Sequence, residues 1–115
     1  MPVPRVRRVY EPPAEDDGLR VLVDRLWPRG LSKAKAQVDE WLKEIAPSPE
    51  LRKRFHADPE RWDDFREAYL AEARANPALP GLRSLARRQR VTLLYAFHDE
   101  AHNHAVLLRE LLRPR

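Results

Sequence analysis

Three stretches of the chain carry apolar residues in patterns typical of β-strands. Residues 6–10 form a short β-branched and aromatic segment, and Val21–Val23 with Leu26 make a second apolar run. Residues 91–97 are continuously apolar, apart from Thr92. Strands that are apolar on both faces belong in sheets covered on both sides. We therefore expect a buried sheet with residues 91–97 as its central strand.

Two helix starts are indicated by the order of a capping residue, a proline and an acid. Residues 48–50 and 58–60 both show this order, which suits an N-cap, the first helical position and the first turn. The first start opens a helix with Leu51 and Phe55 one turn apart. The second opens a helix to about Asn76, and its apolar stripe contains Trp62, Phe65, Tyr69 and Ala73.

The remaining helices are predicted from breakers and caps. Pro77 and Pro80 are expected to break the chain before a shorter helix at residues 82–89. Asp99 is expected to cap a final helix, whose inward residues would be Ala101, Ala105, Leu108 and Leu112. Residues 32–45 stay open between helix and short strand, because their apolar residues follow helical spacing over a short segment.

The predicted order is strand, strand, several helices, strand and helix. This order indicates an α/β fold with a small, at least partly parallel sheet covered by helices. A chain of 115 residues accommodates one domain, which we place at residues 1–115.

Composition narrows the functional classes. The chain has no cysteine, which excludes disulfides, thiolate catalysis and thiolate metal ligands. It lacks an apolar run of the roughly 20 residues that span a bilayer, and its N-terminus lacks a signal-peptide core, so we expect a soluble, cytoplasmic protein without a membrane partner. The net charge is +4. The sequence indicates neither a cofactor nor an oligomeric state.

The segments that follow the second and last strands hold the candidate site. In open α/β sheets, ligands bind beyond the carboxyl ends of the strands. If both strands are parallel, one crevice is expected to be lined by Asp24, Arg25, Trp27, Arg29, His98 and His104. Arginine offers a planar fork of donors to a carboxylate or phosphate, and histidine exchanges a proton near neutral pH.

Two interpretations of this crevice are open. In one, Arg25 and Arg29 hold a small anion, Trp27 walls the pocket, and His104 donates a hydrogen bond or a proton. In the other, Asp24 and Arg25 pair with each other or with neighbours, and Trp27 covers the sheet edge. The first interpretation predicts a protein that binds, or also transforms, a small anionic molecule.

Metal and hydrolase sites are not predicted. His102 and His104 are two positions apart, about 200° around a helix, so they would point to opposite sides. His98 and His102 then lack a third converging ligand for zinc. The serines lack the flanking glycines of a nucleophile elbow.

An arginine-rich segment supports the alternative function. Arg83, Arg87 and Arg90 are expected on one helical face, opposite Leu82, Leu85 and Ala86. Such a stripe can follow a phosphate backbone, which would make the protein a nucleic-acid or protein-interaction module. The same pattern also describes the solvated side of an amphipathic helix.

Several motifs are shared with a known family. They are residues 17–30 (DGLRVLVDRLWPRG), Trp41, residues 48–52, 55–56, 65, 69–70, 92–95 and 103–105. Together they resemble the YeaO-like branch of the domain-of-unknown-function 488 family over nearly the whole chain. The resemblance implies no assigned biochemical role.

One departure from the wider family bears on chemistry. The resemblance implies a cysteine in the last strand and a Cys-His-Arg motif at the start of the last helix. This chain has Tyr95 in that strand and Asn103-His104-Ala105 at the motif, so only His104 matches. Cysteine-based chemistry of the wider family is therefore absent here.

Overall fold

A four-stranded parallel sheet organises the protein, whose computed structural model describes residues 3–58 and 60–113. The strands are β1 (Arg5–Arg8), β2 (Leu19–Leu22), β3 (Glu40–Trp41) and β4 (Val91–Tyr95). Their order is β1-β4-β2-β3, and each neighbouring pair is parallel. The α/β class is confirmed, and the sheet is parallel in every described pair.

The helices cover the sheet unequally. They are α1 (Lys33–Ala36), α2 (Pro49–Ala57), α3 (Trp62–Arg74), α4 (Leu79–Arg88) and α5 (His104–Leu112). The larger apolar cluster joins α2 to α5 with one face of the sheet, including Val21 and Leu93. The smaller cluster lies on the other face, where Ala36 of α1 and Trp27 pack near Leu22.

Strand β4 occupies the centre of the sheet, between β1 and β2, and all five of its residues are buried. Its apolar pattern on both faces explains this position, since a central strand has neighbours above, below and on each side. The hydroxyl of Thr92 within it donates to the carbonyl oxygen of Asp17 at 2.6 Å. The buried central strand predicted at residues 91–97 is therefore found, although it ends at Tyr95.

Two helix starts differ from the predicted ones. Helix α3 begins at Trp62, and Asp58 ends α2 instead of opening α3; Pro59 lies outside the described residues. Helix α5 begins at His104 with Asn103 as its N-cap. Asp99 instead accepts hydrogen bonds from two amides of the preceding loop, and Ala101 in that loop is exposed instead of inward. Aspartate binds free amides in turns as well as at helix starts. Asp99 therefore accepts from backbone amides as predicted, but it does so in the loop before α5 and not at the start of that helix.

The Ser48 cap is confirmed, because its hydroxyl accepts from the amide of Leu51 at 3.2 Å. Pro80 lies in the first turn of α4, so it starts that helix instead of breaking the chain. Helix α4 ends at Arg88, and Arg90 therefore lies beyond it. Leu26 is 61% exposed and lies outside β2, in the loop that follows the strand.

The segment left open at residues 32–45 contains both structures. Ser32 caps the single turn of α1, and Glu40–Trp41 form the edge strand β3. A 3₁₀ turn at Lys43–Ile45 then leads to α2. Within residues 3–58 and 60–113, no helix has the length and apolar character that a bilayer span requires.

Candidate functional site

The carboxyl ends of the four strands meet at one edge of the sheet and open into a cavity of about 650 Å³. We name it the carboxyl-edge cavity. Its walls come from the loops after all four strands, from α2 and α3, and from the start of α5. The lining residues are Arg8, Tyr10, residues 24–29, Ala46, Pro47, Arg52, Phe55, His56, Phe65, residues 96–98, Asn103 and His104. A volume of this size is typical of small-molecule sites.

Asp24 and His104 join three parts of this edge. Asp24 Oδ1 lies 3.2 Å from His104 Nε2, and Asp24 Oδ2 accepts from the amide of Ala96 at 2.9 Å. His104 Nε2 is also 2.9 Å from the carbonyl oxygen of Val23. Because both neighbours of Nε2 are acceptors, this nitrogen carries the hydrogen. The contacts tie the ends of β2 and β4 to the first residue of α5.

Two tryptophans shape the loop that follows β2. Trp27 Nε1 donates to the carbonyl oxygen of Leu31, and Trp41 Nε1 donates to that of Asp24, both at 2.7 Å. The two indole rings meet edge to face at 5.5 Å. Each ring therefore holds the loop by a hydrogen bond at one point and by aromatic packing at another. Trp27 lines the cavity as a fixed wall.

The cavity is rich in arginine. Arg25 Nη2 reaches the carbonyl oxygens of Ala46 and Pro47 at 3.4 and 3.3 Å, while its Nε is buried and has no partner among the described residues. Arg8 donates to the carbonyl oxygens of Ala96 and Phe97. The exposed side chains of Arg29 and Arg52 form no hydrogen bond or ion pair with another described residue. Among the described lining residues, Asp24 is the one carboxylate.

His56 reports the electrostatics of this wall. Its pKa is lowered, first because burial disfavours the imidazolium, and then because the positive charges of Arg52 and His98 repel it. Both repelling groups line the same cavity. An anion bound there would offset the repulsion from these charges and raise the pKa of His56.

All six residues predicted for the crevice line this one cavity: Asp24, Arg25, Trp27, Arg29, His98 and His104. Elements of the competing interpretation are also present, because Asp24 and Arg25 contact neighbouring groups and the Trp27 indole closes its own loop. Asp24, Arg25 and Trp27 therefore bond to neighbouring groups of the protein and line the cavity at the same time.

The arginine stripe is not assembled as predicted. Arg90 lies outside α4, and its Nη1 donates to the carbonyl oxygen of Asp16 at 3.3 Å. Arg83 Nε donates to the carbonyl oxygen of Leu111 at 3.1 Å, at the end of α5. Arg87 is exposed. The common helical face expected for the three residues is therefore wrong, because the helix ends before the third.

The three histidines considered for a metal site also separate. His102 lies before α5, where its Nδ1 is 3.0 Å from Asp99 Oδ2, and it does not line the cavity. In the described part of the chain, no group of three histidine, aspartate or glutamate side chains is placed to hold a metal ion.

Several lining residues were not predicted from the sequence. They are Arg8, Tyr10, Arg52, His56 and Phe97. Arg52 and His56 belong to the motifs that carry the family resemblance, and they stand one turn apart on α2. That helical spacing, together with the motifs, was the signal that could have placed them at the site.

Comparisons with known proteins extend the motif resemblance. The family model described as "Inactive DUF488-N3 subclade" matches residues 4–115. The chain is 48% identical over 108 residues to the uncharacterized protein YeaO of Escherichia coli (strain K12), covering 93% of this chain and 94% of the relative. It is 47% identical over 111 residues to the uncharacterized protein Rv3073c of Mycobacterium tuberculosis, covering 96% and 94%. No solved structure shows significant similarity to the chain.

Proposed function

The chain belongs to the DUF488 family, in the subclade described as inactive, and on that premise we propose that it binds a small organic anion in the carboxyl-edge cavity. The observation that carries the proposal is the charge of the lining, which holds four arginines and one carboxylate. Guanidinium groups suit carboxylates and phosphates because their donors form a planar fork.

The state of the charged groups supports this proposal. Asp24 already faces His104 and the amide of Ala96, so its charge is partly balanced. Arg25 Nη2 makes only long contacts with the carbonyl oxygens of Ala46 and Pro47, at 3.4 and 3.3 Å, so an oxyanion in the cavity would offer it a stronger acceptor. The exposed side chain of Arg29 makes no ion pair with a described residue, so its donors are free to bind the same anion.

Binding is favoured over catalysis by two observations. The family description reads inactive, and the chain has no cysteine to serve as a nucleophile. His104 directs Nε2 at two fixed acceptors, which suits a residue that positions the loop after β2. In the proposal, His104 and Asp24 hold the wall, and Arg25 and Arg29 hold the anion. The proposal also places the protein in the cytoplasm, which cell fractionation would test.

Calorimetric titration of the full chain with inorganic phosphate, glycerol phosphate and citrate tests the proposal. Arg29→Ala is the main variant because its side chain is exposed, and Arg87→Ala on α4 is the matched control. We expect at least one probe to bind, with about tenfold lower affinity in Arg29→Ala and no change in Arg87→Ala. Equal affinity in wild type and Arg29→Ala would overturn the assignment. If the protein instead binds an oligonucleotide and Arg87→Ala abolishes that binding, the function to be assigned is nucleic-acid binding through α4.

A further inference from the structure

Phe97 belongs to an aromatic cluster at the wall of the carboxyl-edge cavity. Its ring centroid lies 5.6 Å from that of His56 and 4.5 Å from that of His98. Phe97 is half-buried, and both histidines are exposed. All three residues line the cavity. The rings of Phe97, His56 and His98 therefore line the same cavity as the arginines.

The ring of Phe97 is supported from behind. Its centroid is 5.5 Å from that of the buried Phe55, which stacks on Phe65 at 4.4 Å. A core role alone would favour full burial of so large an apolar side chain, as for Phe55 and Phe65. Phe97 instead keeps part of its ring at the cavity surface.

The backbone that presents this ring is fixed on both sides. Arg8 donates from Nε to the carbonyl oxygen of Phe97 at 3.0 Å and from Nη2 to that of Ala96 at 2.9 Å. The amide of Ala96 donates to Asp24. Rigid presentation lowers the ordering cost of binding, because little motion is lost when a ligand docks. The ring is thus held ready at the end of β4.

The size of the cavity adds a second constraint. At about 650 Å³ it lies within the range of sites for drug-sized ligands, far larger than a bare phosphate or carboxylate requires. An inorganic anion would satisfy the arginines and leave the aromatic wall uncovered. The lining as a whole suits a molecule with one anionic part and one flat apolar part.

We infer that the ligand is an organic oxyanion carrying an aromatic or heteroaromatic ring, which packs on Phe97 beside His56 and His98 while the arginines hold the anionic group. The inference rests on the proposed function, because it describes the second half of the same ligand. Aryl phosphates belong to this class, and so do mononucleotides, which are sugar phosphates that carry a heteroaromatic base. Stacking on an aromatic side chain is tolerant of the ring's identity, since every such ring has a π-face.

The test compares probes of equal anionic group at pH 7.5 and fixed ionic strength. Calorimetric titrations measure phenyl phosphate, a purine mononucleotide and glycerol phosphate against wild type and Phe97→Leu. The leucine keeps an apolar side chain at this position and removes the flat face. In wild type we expect both ring-bearing probes to bind at least fivefold more tightly than glycerol phosphate, about 1 kcal/mol. In Phe97→Leu we expect that ratio to fall to within twofold.

A measurement on wild type guards against misfolding of the variant. Intermolecular nuclear Overhauser effects between the ring protons of phenyl phosphate and Phe97 are expected. Tighter binding of the ring-bearing probes together with these effects supports the inference. Equal binding of all three phosphates overturns it and leaves the proposed function standing. An unchanged ratio in a folded Phe97→Leu, or an absence of the Phe97 effects, also overturns it. Failure of every probe to bind overturns both proposals.

Discussion

Asp24 and His104 face each other across the carboxyl edge of the sheet, with Asp24 Oδ1 3.2 Å from His104 Nε2. One residue follows β2 and the other begins α5, so the contact joins elements that are distant in the chain. The side chains are 17% and 13% exposed, respectively. Because both side chains are largely buried, water competes little for the hydrogen bond between them.

A double-mutant cycle on this pair measures its contribution to stability. Asp24→Ala removes the acceptor of both His104 and the amide of Ala96, so we expect a loss of roughly 2 kcal/mol in the free energy of unfolding. His104→Ala also loses the contact with the carbonyl oxygen of Val23. The expected coupling between the two substitutions is about 1 kcal/mol, measured by urea unfolding. Strict additivity would show that the two side chains do not interact.

Gly18 is required by its conformation and by its surroundings. Its φ is +67°, and an added Cβ would overlap the carbonyl oxygen of Arg90 and lie 2.8 Å from the Cβ of that residue. That carbonyl is held in place because it accepts from the amide of Leu19 at 2.9 Å. We therefore expect Gly18→Ala to lower the free energy of unfolding by roughly 3 kcal/mol or more in urea titrations.

Gly30→Ala is the matched control for this substitution. Gly30 also has a positive φ, at +77°, but an added Cβ would meet nothing within 4 Å. Only the conformational cost remains, so we expect a loss of roughly 1 kcal/mol. Similar losses in the two variants would contradict the role assigned to the Arg90 contact.

The lowered pKa of Asp17 leads us to expect that the protein loses stability in acid. Burial by itself raises the pKa of Asp17, but hydrogen bonds from the Ala14 amide and Arg20 and the charges of Arg7 and Arg20 outweigh it, so the pKa is lowered. A lowered folded-state pKa stabilises the protein above the unfolded value of about 3.9. That stability is lost as pH falls from there through the folded value. Urea unfolding between pH 7 and pH 2 measures this change.

Asp17→Asn provides the comparison. At pH 7 it leaves the buried guanidinium of Arg20 without its charged partner, and we expect a loss of roughly 3–5 kcal/mol. The gap between wild type and variant should narrow as pH falls below about 4. A gap that stays constant with pH would show that the Asp17 charge is not the cause.

The pKa of His56 offers a direct report on the charge of the carboxyl-edge cavity. Arg52→Ala removes one of the positive charges that lower it, so we expect the pKa of His56 to rise while burial keeps it below the ordinary value. Inorganic phosphate bound in the cavity should raise it as well. NMR titration of the histidine ring resonances measures both effects. The ring chemical shifts of His102, which lies outside the cavity, should not change when phosphate is added. A change as large as that of His56 would indicate unspecific binding.

The parts of the fold that the sequence predicted have strong local or periodic signals. Residues 91–95 are nearly all apolar, as a strand buried on both faces requires, and Ser48 precedes a proline and an acid at a helix start. Strand β3 lacked such a signal because it has two residues, Glu40 and Trp41, and both are exposed at the sheet edge. The start of α5 was misplaced because Asp99 and Asn103 both accept from nearby amides. Which of them opens the helix depends on packing.

In the candidate site, too, the residues with a local sequence signal were predicted, and those placed by packing were not. The residues after β2 and β4 were predicted together because parallel strands end at the same edge of a sheet. Arg8, Arg52 and Phe97 were not predicted, since their place depends on how β1 and α2 pack against that edge. A residue on the polar side of a helix looks solvated in the sequence whether or not a cavity lies in front of it.

By itself, the sequence determined the α/β class, the central strand, the family and the absence of thiol chemistry, because these depend on composition, periodicity and motifs. Only the tertiary structure decided which charged and aromatic side chains share one cavity. The strand order β1-β4-β2-β3 places the last strand between the first two, so loops far apart in the chain become neighbours. The apolar run of β4 indicates its central place, but long-range packing decides which strands flank it and which loops therefore meet at the carboxyl edge.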